Sequence, residues 1–249
     1  MTLMQPQMQP HAPAGEVARV VAWDLPTRLF HWTLVLAIAM AWASAQYAEK
    51  IGDPLLKWHR WTGIAILVLL LWRLLWGVLG SSTARFVSFV RGPGAALGYA
   101  ARLAGGGHDR YLGHNPLGAY MVLALLVVVG TQALLGLFTV EHNDLTAGPL
   151  YRLVSEDVVK RVSRLHRLLF DDLLLPLIVL HVAANLLYGV VKREPLIPAM
   201  VTGRKPAADY ADAKEALLVD RPLVRAAFLL AVSAATVIGT IKMLGGRLP

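Results

Sequence analysis

The segment LHRLLFDDLLLPLIVLHVAANLLYGVV, residues 165–191, places two histidines along one long apolar run. His166 precedes the apolar core of the run, and His181 lies 15 residues further along it. At about 1.5 Å of rise per residue, the two side chains are about 22 Å apart along a helix axis. At about 100° per residue they return to within about 60° of the same face. The segment therefore predicts a helix that presents two histidines at two depths.

The composition places this helix in a membrane. The chain has 249 residues, of which 56% are hydrophobic and only 16% are charged, which is too apolar for a soluble domain of this length. A helix that crosses a bilayer needs about 20 mostly apolar residues. Five runs meet this length: 29–47, 58–79, 117–140, 173–191 and 223–244. We therefore predict an all-α integral membrane helical bundle.

The segments between the runs indicate where helices start and stop. Three polar residues stand just ahead of a proline at the start of a span and predict helix starts: Asp24, Asp53 and Asn115. Residues 83–103 are less apolar and are predicted to lie along the membrane surface as a short amphipathic piece. Three glycines at 105–107 end this piece as a flexible link.

The charge pattern predicts an orientation. The net charge is +8, but the basic residues lie mainly between the apolar runs, so lipid headgroups and membrane topology explain them better than nucleic acid does. The side that holds the N-terminus and residues 80–115 is richer in lysine and arginine, which predicts that it is cytoplasmic. We expect a multi-pass membrane protein with a cytoplasmic N-terminus, and the resemblance described below implies the bacterial cytoplasmic (inner) membrane.

Two further features limit the chemistry and the organisation. The chain has no cysteine, which excludes disulfides, thiolate-bound iron–sulfur clusters and c-type haem attachment. Any metal cofactor must then rely on histidine, methionine or carboxylate. The N-terminal stretch is polar and rich in proline and glutamine, and it lacks the apolar region of a secretory signal peptide. Residues 1–22 are predicted to be a disordered cytoplasmic tail.

The eight histidines sort by depth. Four are assigned to loops or to the tail as solvated side chains: His11, His108, His114 and His142. The other four belong to spans. His31 begins the first span near the cytoplasmic face, and His59 begins the second span, which runs the other way. Residues at one depth can share a planar cofactor, so His31 pairs with His181 (the inner pair) and His59 pairs with His166 (the outer pair).

Two depth-matched pairs in a helical bundle are the arrangement that two b-type haems need, with two imidazoles on each iron. Taken alone, each histidine is more simply an interfacial or hydrogen-bonded side chain. The sorting of all four into pairs favours haem. Zinc is a weaker alternative because it requires three or four ligands close together.

Neighbouring residues suggest how the porphyrins are held. Arg28, Arg60 and Arg167 each lie within three residues of one of these histidines and could pair with haem propionates, with headgroup snorkelling as the alternative. Gly63, one turn after His59, could let a porphyrin approach the backbone, although small residues are also ordinary packing positions in membranes. Gly130 and Gly136 on the third span have the same two explanations. Arg73, on the second span, is predicted to snorkel.

Five motifs in this order resemble the bacterial cytochrome b561 and nickel-hydrogenase cytochrome b family. They are WDLPTRLFHW (23–32), LLKWHRWTG (55–63), GHNPLGAYMV (113–122), RLHRLLF (164–170) and VLHVAANLLY (179–188). The resemblance covers about residues 20–205. It implies a four-helix membrane bundle with two b haems, whose ligands fall on His31, His59, His166 and His181. The fifth span has no histidine and departs from this core, so we assign it to anchoring or partner contact.

The resemblance also implies a function and an organisation. The expected domains are the tail, a dihaem four-helix domain at 23–205, and a linker with the C-terminal transmembrane helix at 206–249. The expected function is electron transfer between quinone and a redox partner, such as a periplasmic cytochrome c or a dehydrogenase or hydrogenase subunit. Whether the chain is an enzyme in its own right stays open. The alternatives are a stand-alone oxidoreductase that passes electrons from superoxide or a small reductant to quinone, and a haem-free anchor for a complex.

Overall fold

A computed structural model describes residues 18–53, 56–107, 109–140 and 146–249. Two short strands and nine α-helices follow one another in this part of the chain: β1 (Arg19–Val21), α1 (Leu25–Gln46), α2 (Lys57–Leu79), α3 (Phe86–Phe89), α4 (Pro93–Ala104), α5 (Pro116–Gly136), α6 (Glu156–Leu168), α7 (Leu175–Val191), α8 (Leu196–Thr202), β2 (Arg204–Pro206) and α9 (Pro222–Met243). Five helical segments are long and apolar enough to cross a membrane: α1, α2, α5, the continuous α6–α7 segment and α9. The predicted helical membrane bundle with five spans is confirmed.

The predicted helix starts are correct, and the side chains show why. Asp24 accepts a hydrogen bond from the backbone N–H of Thr27 at 2.7 Å, and Asn115 accepts one from Gly118 at 2.7 Å. Asp53 caps α2 from outside the helix, because its carboxylate accepts the backbone N–H groups of Lys57 and Trp58. Each polar side chain satisfies amides that the first turn of a helix leaves without partners.

The fourth span is longer than its apolar core indicates. Helix begins at Glu156, so the basic stretch before His166 is already helical, and it continues to Val191. Leu169–Leu174 between α6 and α7 is a π-helical segment, and Pro176 follows it at the start of α7. A π turn takes up about one additional residue, which offsets the roughly 60° that 15 residues of regular α-helix would leave between the two histidines.

The core of the bundle lies between α1, α2, α5 and the π segment. Its buried centre contains Ala37, Leu70, Val128 and Leu174. The fifth span, α9, packs along α2 and α1. Trp72 of α2 donates from Nε1 to the carbonyl oxygen of Ala226 at 2.9 Å. α9 therefore covers the side of the bundle that α1 and α2 form.

A cap of short elements closes the end of the bundle where α1 begins. β1 pairs antiparallel with β2, with Val20 opposite Lys205. The buried Lys205 donates from Nζ to the carbonyl oxygen of Tyr111 at 2.8 Å. The carboxylate of Asp212 accepts the backbone N–H groups of Leu112 and Gly113 at 2.6 and 2.8 Å. These bonds fix the turn just before α5.

The cap corrects one prediction about the histidines. His114 is not a solvated loop side chain, because its ring packs against Trp23 at 4.8 Å and Phe89 at 4.5 Å between ring centres. Burial, together with the nearby cations of Arg73 and Lys205, lowers the pKa of His114 to about 3. His11, His108 and His142 lie outside the described residues, as does most of the predicted disordered tail, whose described end forms β1.

Candidate haem sites

Two pairs of histidine rings face one another inside the bundle. His31 of α1 lies 6.5 Å from His181 of α7 between ring centres, with the ring planes 49° apart. His59 of α2 lies 6.2 Å from His166 of α6, with the planes 88° apart. The two pairs are at different depths, because His31 and His181 are near the start of α1 while His59 contacts Ala41 near its end. These are the partners that the depth argument assigns.

The separations fit one metal ion between the rings of each pair. A metal–imidazole nitrogen bond is about 2.0–2.1 Å long, and the nitrogen lies about 1 Å from its ring centre, so two imidazoles on opposite sides of one metal have centres about 6 Å apart. Both observed distances match this value. No three histidine, aspartate or glutamate side chains of the described residues converge on one point, so the arrangement does not suit a structural zinc site.

Hydrogen bonds fix the tautomer of the outer pair. Nδ1 of His59 is 2.8 Å from the carbonyl oxygen of Ala41, and Nδ1 of His166 is 3.0 Å from that of Gln132. A carbonyl only accepts, so both Nδ1 atoms carry the proton, and each Nε2 is the unprotonated nitrogen that can bind a metal. Backbone carbonyls commonly orient metal-binding histidines in this way. The side-chain amide of Gln132 lies 3.3 Å from Nε2 of His166.

The inner pair has a different environment. Nδ1 of His31 is buried without a hydrogen-bond partner among the described residues. Asn185, one turn after His181, donates to the backbone carbonyl of His181 at 2.7 Å and not to its ring. The two pairs thus have similar ring separations but different hydrogen bonding.

The predicted arginines fall into two groups. Arg28 is half-buried and donates from one terminal nitrogen to the carbonyl oxygen of Val201 at 2.6 Å, and its Nε is buried without a partner in the described chain. Arg60 is also half-buried, with an unpartnered buried Nε. Arg167 is exposed. Arg28 and Arg60 thus each keep a buried donor next to a paired histidine, whereas Arg167 lies at the surface.

The three glycines differ in what faces them. A methyl group added at Gly63 would meet no atom of the described chain within 4 Å, so open space adjoins the backbone one turn from His59. At Gly136 the same group would lie 3.2 Å from Cε1 of His166. At Gly130 it would make an ordinary contact with Leu70 at 3.9 Å. Gly63 therefore faces open space, Gly136 leaves room for a histidine, and Gly130 is a packing position.

Two buried residues at this end of the bundle differ from their predictions. Arg73 does not snorkel: only 3% of it is exposed, and its guanidinium lies over the ring of Phe86 at 4.8 Å. His114 lies close enough to His31 and His181 to sense their charges. The motif GHNPLG places His114 directly before Asn115, the cap of α5, which is a fixed position in the chain. No spacing rule linked His114 to His31.

The fold and these sites define a multi-pass helical membrane protein with paired histidines inside the bundle. The family profile of prokaryotic cytochrome b561 matches residues 22–203. The chain therefore belongs to the prokaryotic cytochrome b561 family. It is a membrane b-type cytochrome that takes part in electron transfer and binds b-type haem. No curated protein and no solved structure matches the chain. The match ends before α9, so the fifth span lies outside the family region.

Proposed function

We propose that the chain carries electrons across the membrane through two b haems, one held by His31 and His181 and the other by His59 and His166. The observation that carries this proposal is that both ring pairs have the separation of two imidazoles on one metal. Bound haem b supplies an iron that gains and loses one electron at each site. About 22 Å of the fourth span separates His166 from His181, so the two sites lie in series across the bundle.

The remaining residues hold and insulate these sites. Arg28 and Arg60 each have a buried Nε without a partner in the described chain, and we assign these two guanidinium groups to haem propionates. Gly63 leaves the gap that a porphyrin fills beside α2. Leu70 and Leu174 pack between the two depths and keep water out of the path.

We further place the N-terminus and the cap in the cytoplasm of a bacterial inner membrane. The excess of basic residues on this side supports the assignment. The outer pair then faces the periplasm, and a redox protein there, such as a cytochrome c or a dehydrogenase or hydrogenase subunit, exchanges electrons with it. Reporter fusions after residue 107 and after residue 150 test this orientation, since only the first position should be cytoplasmic.

Quinone is the proposed partner on the inner side. A cavity of about 410 Å³ opens in the cap between α3, α4 and the start of α5. Its lining includes donors and an acceptor suited to a quinone headgroup, namely Arg91, Arg102, Tyr111, His114 and Asp212. His114 belongs both to this cavity and to the surroundings of the inner pair, so the cavity adjoins the site that would exchange electrons with quinone.

The proposal is tested by purification from native membranes followed by a pyridine haemochrome assay. Two non-covalent b haems per chain are expected. A count of one or none in fully loaded protein would contradict the proposal, and a haem-free preparation would favour a membrane anchor. Copurifying proteins identify the partner, and reduction of the bound haem by a quinol analogue tests the quinone assignment.

A further inference from the structure

The two pairs differ in what holds their imidazoles, and this difference has an electronic consequence. Both outer histidines donate from Nδ1 to a backbone carbonyl, His59 to Ala41 at 2.8 Å and His166 to Gln132 at 3.0 Å. In the inner pair, the Nδ1 of His31 is buried and has no such acceptor in the described chain. A hydrogen bond from Nδ1 to a carbonyl raises the basicity of the nitrogen that binds the metal.

A more basic ligand stabilises the oxidised metal relative to the reduced one, and second-shell hydrogen bonding is one of the means by which a protein tunes haem potential. The charges nearby act in the same direction. Arg73 and Lys205, which are 3% and 2% exposed, place cations beside His114, which itself lies close to His31 and His181, so their field would favour the reduced and less positive iron of an inner haem. At the outer pair, Arg167 is exposed, so solvent screens its charge, and the half-buried Arg60 beside His59 is matched at the inner pair by the half-buried Arg28.

Gly136 leaves the space that His166 needs to reach the carbonyl of Gln132. It lies one turn beyond Gln132 on α5, and the position where its Cβ would be is 3.2 Å from Cε1 of His166. Such a distance is closer than side chains normally approach, so any larger residue here pushes the imidazole away from α5 and from the Gln132 carbonyl. The hydrogen bond of His166 therefore depends on the absence of a side chain at position 136.

We propose that Gly136 is a positioning residue that seats His166 against the carbonyl of Gln132, and that this bond, together with that of His59 to Ala41, gives the outer haem a lower reduction potential than the inner haem. This inference rests on the proposed binding of two haems. It implies that an electron delivered to the outer site passes to the inner site downhill in energy, from the periplasmic side towards the quinone cavity.

The experiment is a spectroscopic redox titration of the full-length protein, which resolves the two haems at low temperature. The component missing from His59→Ala is assigned as the outer haem, and the component missing from His31→Ala as the inner haem. In the native protein, the outer component should titrate at the lower potential. The haem count is measured first. A native protein with fewer than two haems would overturn the proposed function, whereas the titration tests the order of the two reduction potentials.

Gly136→Ala is the test variant and Gly130→Ala is its matched control, because both lie on α5 but only the first faces a histidine. Gly136→Ala should weaken the hydrogen bond from His166 to the carbonyl of Gln132. The reduction equilibrium of the outer haem should then shift about tenfold towards the reduced form, which raises its potential by about 59 mV for one electron. The inner haem should stay unchanged, and Gly130→Ala should shift neither.

Two results would overturn the inference: an outer haem that titrates at or above the inner one in the native protein, or a Gly136→Ala variant whose outer potential equals that of Gly130→Ala. Selective loss of the outer haem from Gly136→Ala supports the positioning role of Gly136. In that case, the proposal that the outer haem has the lower reduction potential is tested only by the order of the two potentials in the native protein.

Discussion

The imidazole of His31 lies 6.5 Å from that of His181, ring centre to ring centre, although the two side chains come from the first and fourth spans. Apart from this approach, α7 makes little contact with α1, and no residue of α7 is fully buried. The two imidazoles thus face one another from helices that otherwise scarcely touch, as expected if a cofactor joins them.

The first prediction follows from this pairing. Replacement of either His31 or His181 with alanine should remove the same haem, because each change leaves one axial position of the inner iron without its ligand in an apolar site. The double variant should resemble either single variant, since both changes act on one site and their effects do not add. Low-temperature optical or electron-paramagnetic-resonance spectra measure the loss.

The outer pair supplies the comparison for this prediction. His59→Ala and His166→Ala should remove the other spectral component and leave the inner haem in place. If His31→Ala and His59→Ala remove the same component, the depth assignment is wrong, and so is the proposed route across the membrane.

The second prediction concerns the space beside Gly63. A leucine at this position meets no protein atom near its Cβ, so Gly63→Leu should fold, but its side chain would occupy the gap assigned to the outer porphyrin. We expect outer haem content to fall to less than half while the inner haem is retained, as measured by haem assay and spectra of purified protein.

Gly239→Leu on α9 is the matched control, because Gly239 is also in a span and also faces open space, but its helix carries none of the paired histidines. It should keep both haems. Equal haem content in the two variants would show that the space beside Gly63 does not hold the cofactor.

The sequence predicted the features that depend on local chemistry. Asp24, Asp53 and Asn115 cap helices because a short polar side chain ahead of a proline satisfies the first-turn amides wherever the helix lies. The five spans follow from length and hydropathy alone. The pairing of His31 with His181 could be predicted because the position of a residue along a membrane span gives its depth in the bilayer.

Features that depend on contacts between distant segments could not be predicted from the sequence. The burial of His114 requires Trp23, Phe89 and the linker residues that fix its turn, and no pattern around position 114 reveals these neighbours. Arg73 was expected to snorkel because its partners, Phe86 and Asp24, lie on other elements. The π segment of the fourth span also leaves no signal in the sequence, because nothing in LFDDLL, residues 169–174, distinguishes a π turn from an α-helical one.

The third prediction concerns α9. Leu229 is buried beside Phe30, Trp72 and Trp76, whereas its neighbour Leu230 is 43% exposed. Leu229→Ala should open a cavity between α9 and α2, and comparable changes in protein cores cost roughly 2–5 kcal/mol. We expect a lower midpoint of thermal unfolding in detergent, with both haems still present at low temperature.

Leu230→Ala is the control, because it removes the same atoms from a side chain that faces away from the bundle. It should leave the free energy of unfolding within about 0.5 kcal/mol of the native value. If the two variants unfold alike, α9 does not stabilise the α1–α2 side of the bundle, and its packing serves another purpose.

The last prediction uses the buried imidazole in the cap. The pKa of His114 is lowered from its ordinary value of 6.5 to about 3, chiefly by burial. The unfolded chain therefore binds a proton at this site at a higher pH than the folded chain does. The contribution of neutral His114 to stability is fully present above pH 6.5 and is lost as the pH falls from 6.5 towards 3, by up to about 1.4 kcal/mol per pH unit.

His114→Phe keeps a planar ring against Trp23 and Phe89 but cannot take up a proton. The difference in unfolding free energy between the variant and the native protein should be constant above pH 7 and should shift in favour of the variant as the pH falls from 6.5 to 5. The paired histidines are present in both proteins, so the difference reports His114 together with its charge interaction with His31 and His181. A difference that stays constant down to pH 5 would mean that His114 is protonated at the same pH in the folded and unfolded chains, and hence that the cap does not bury it.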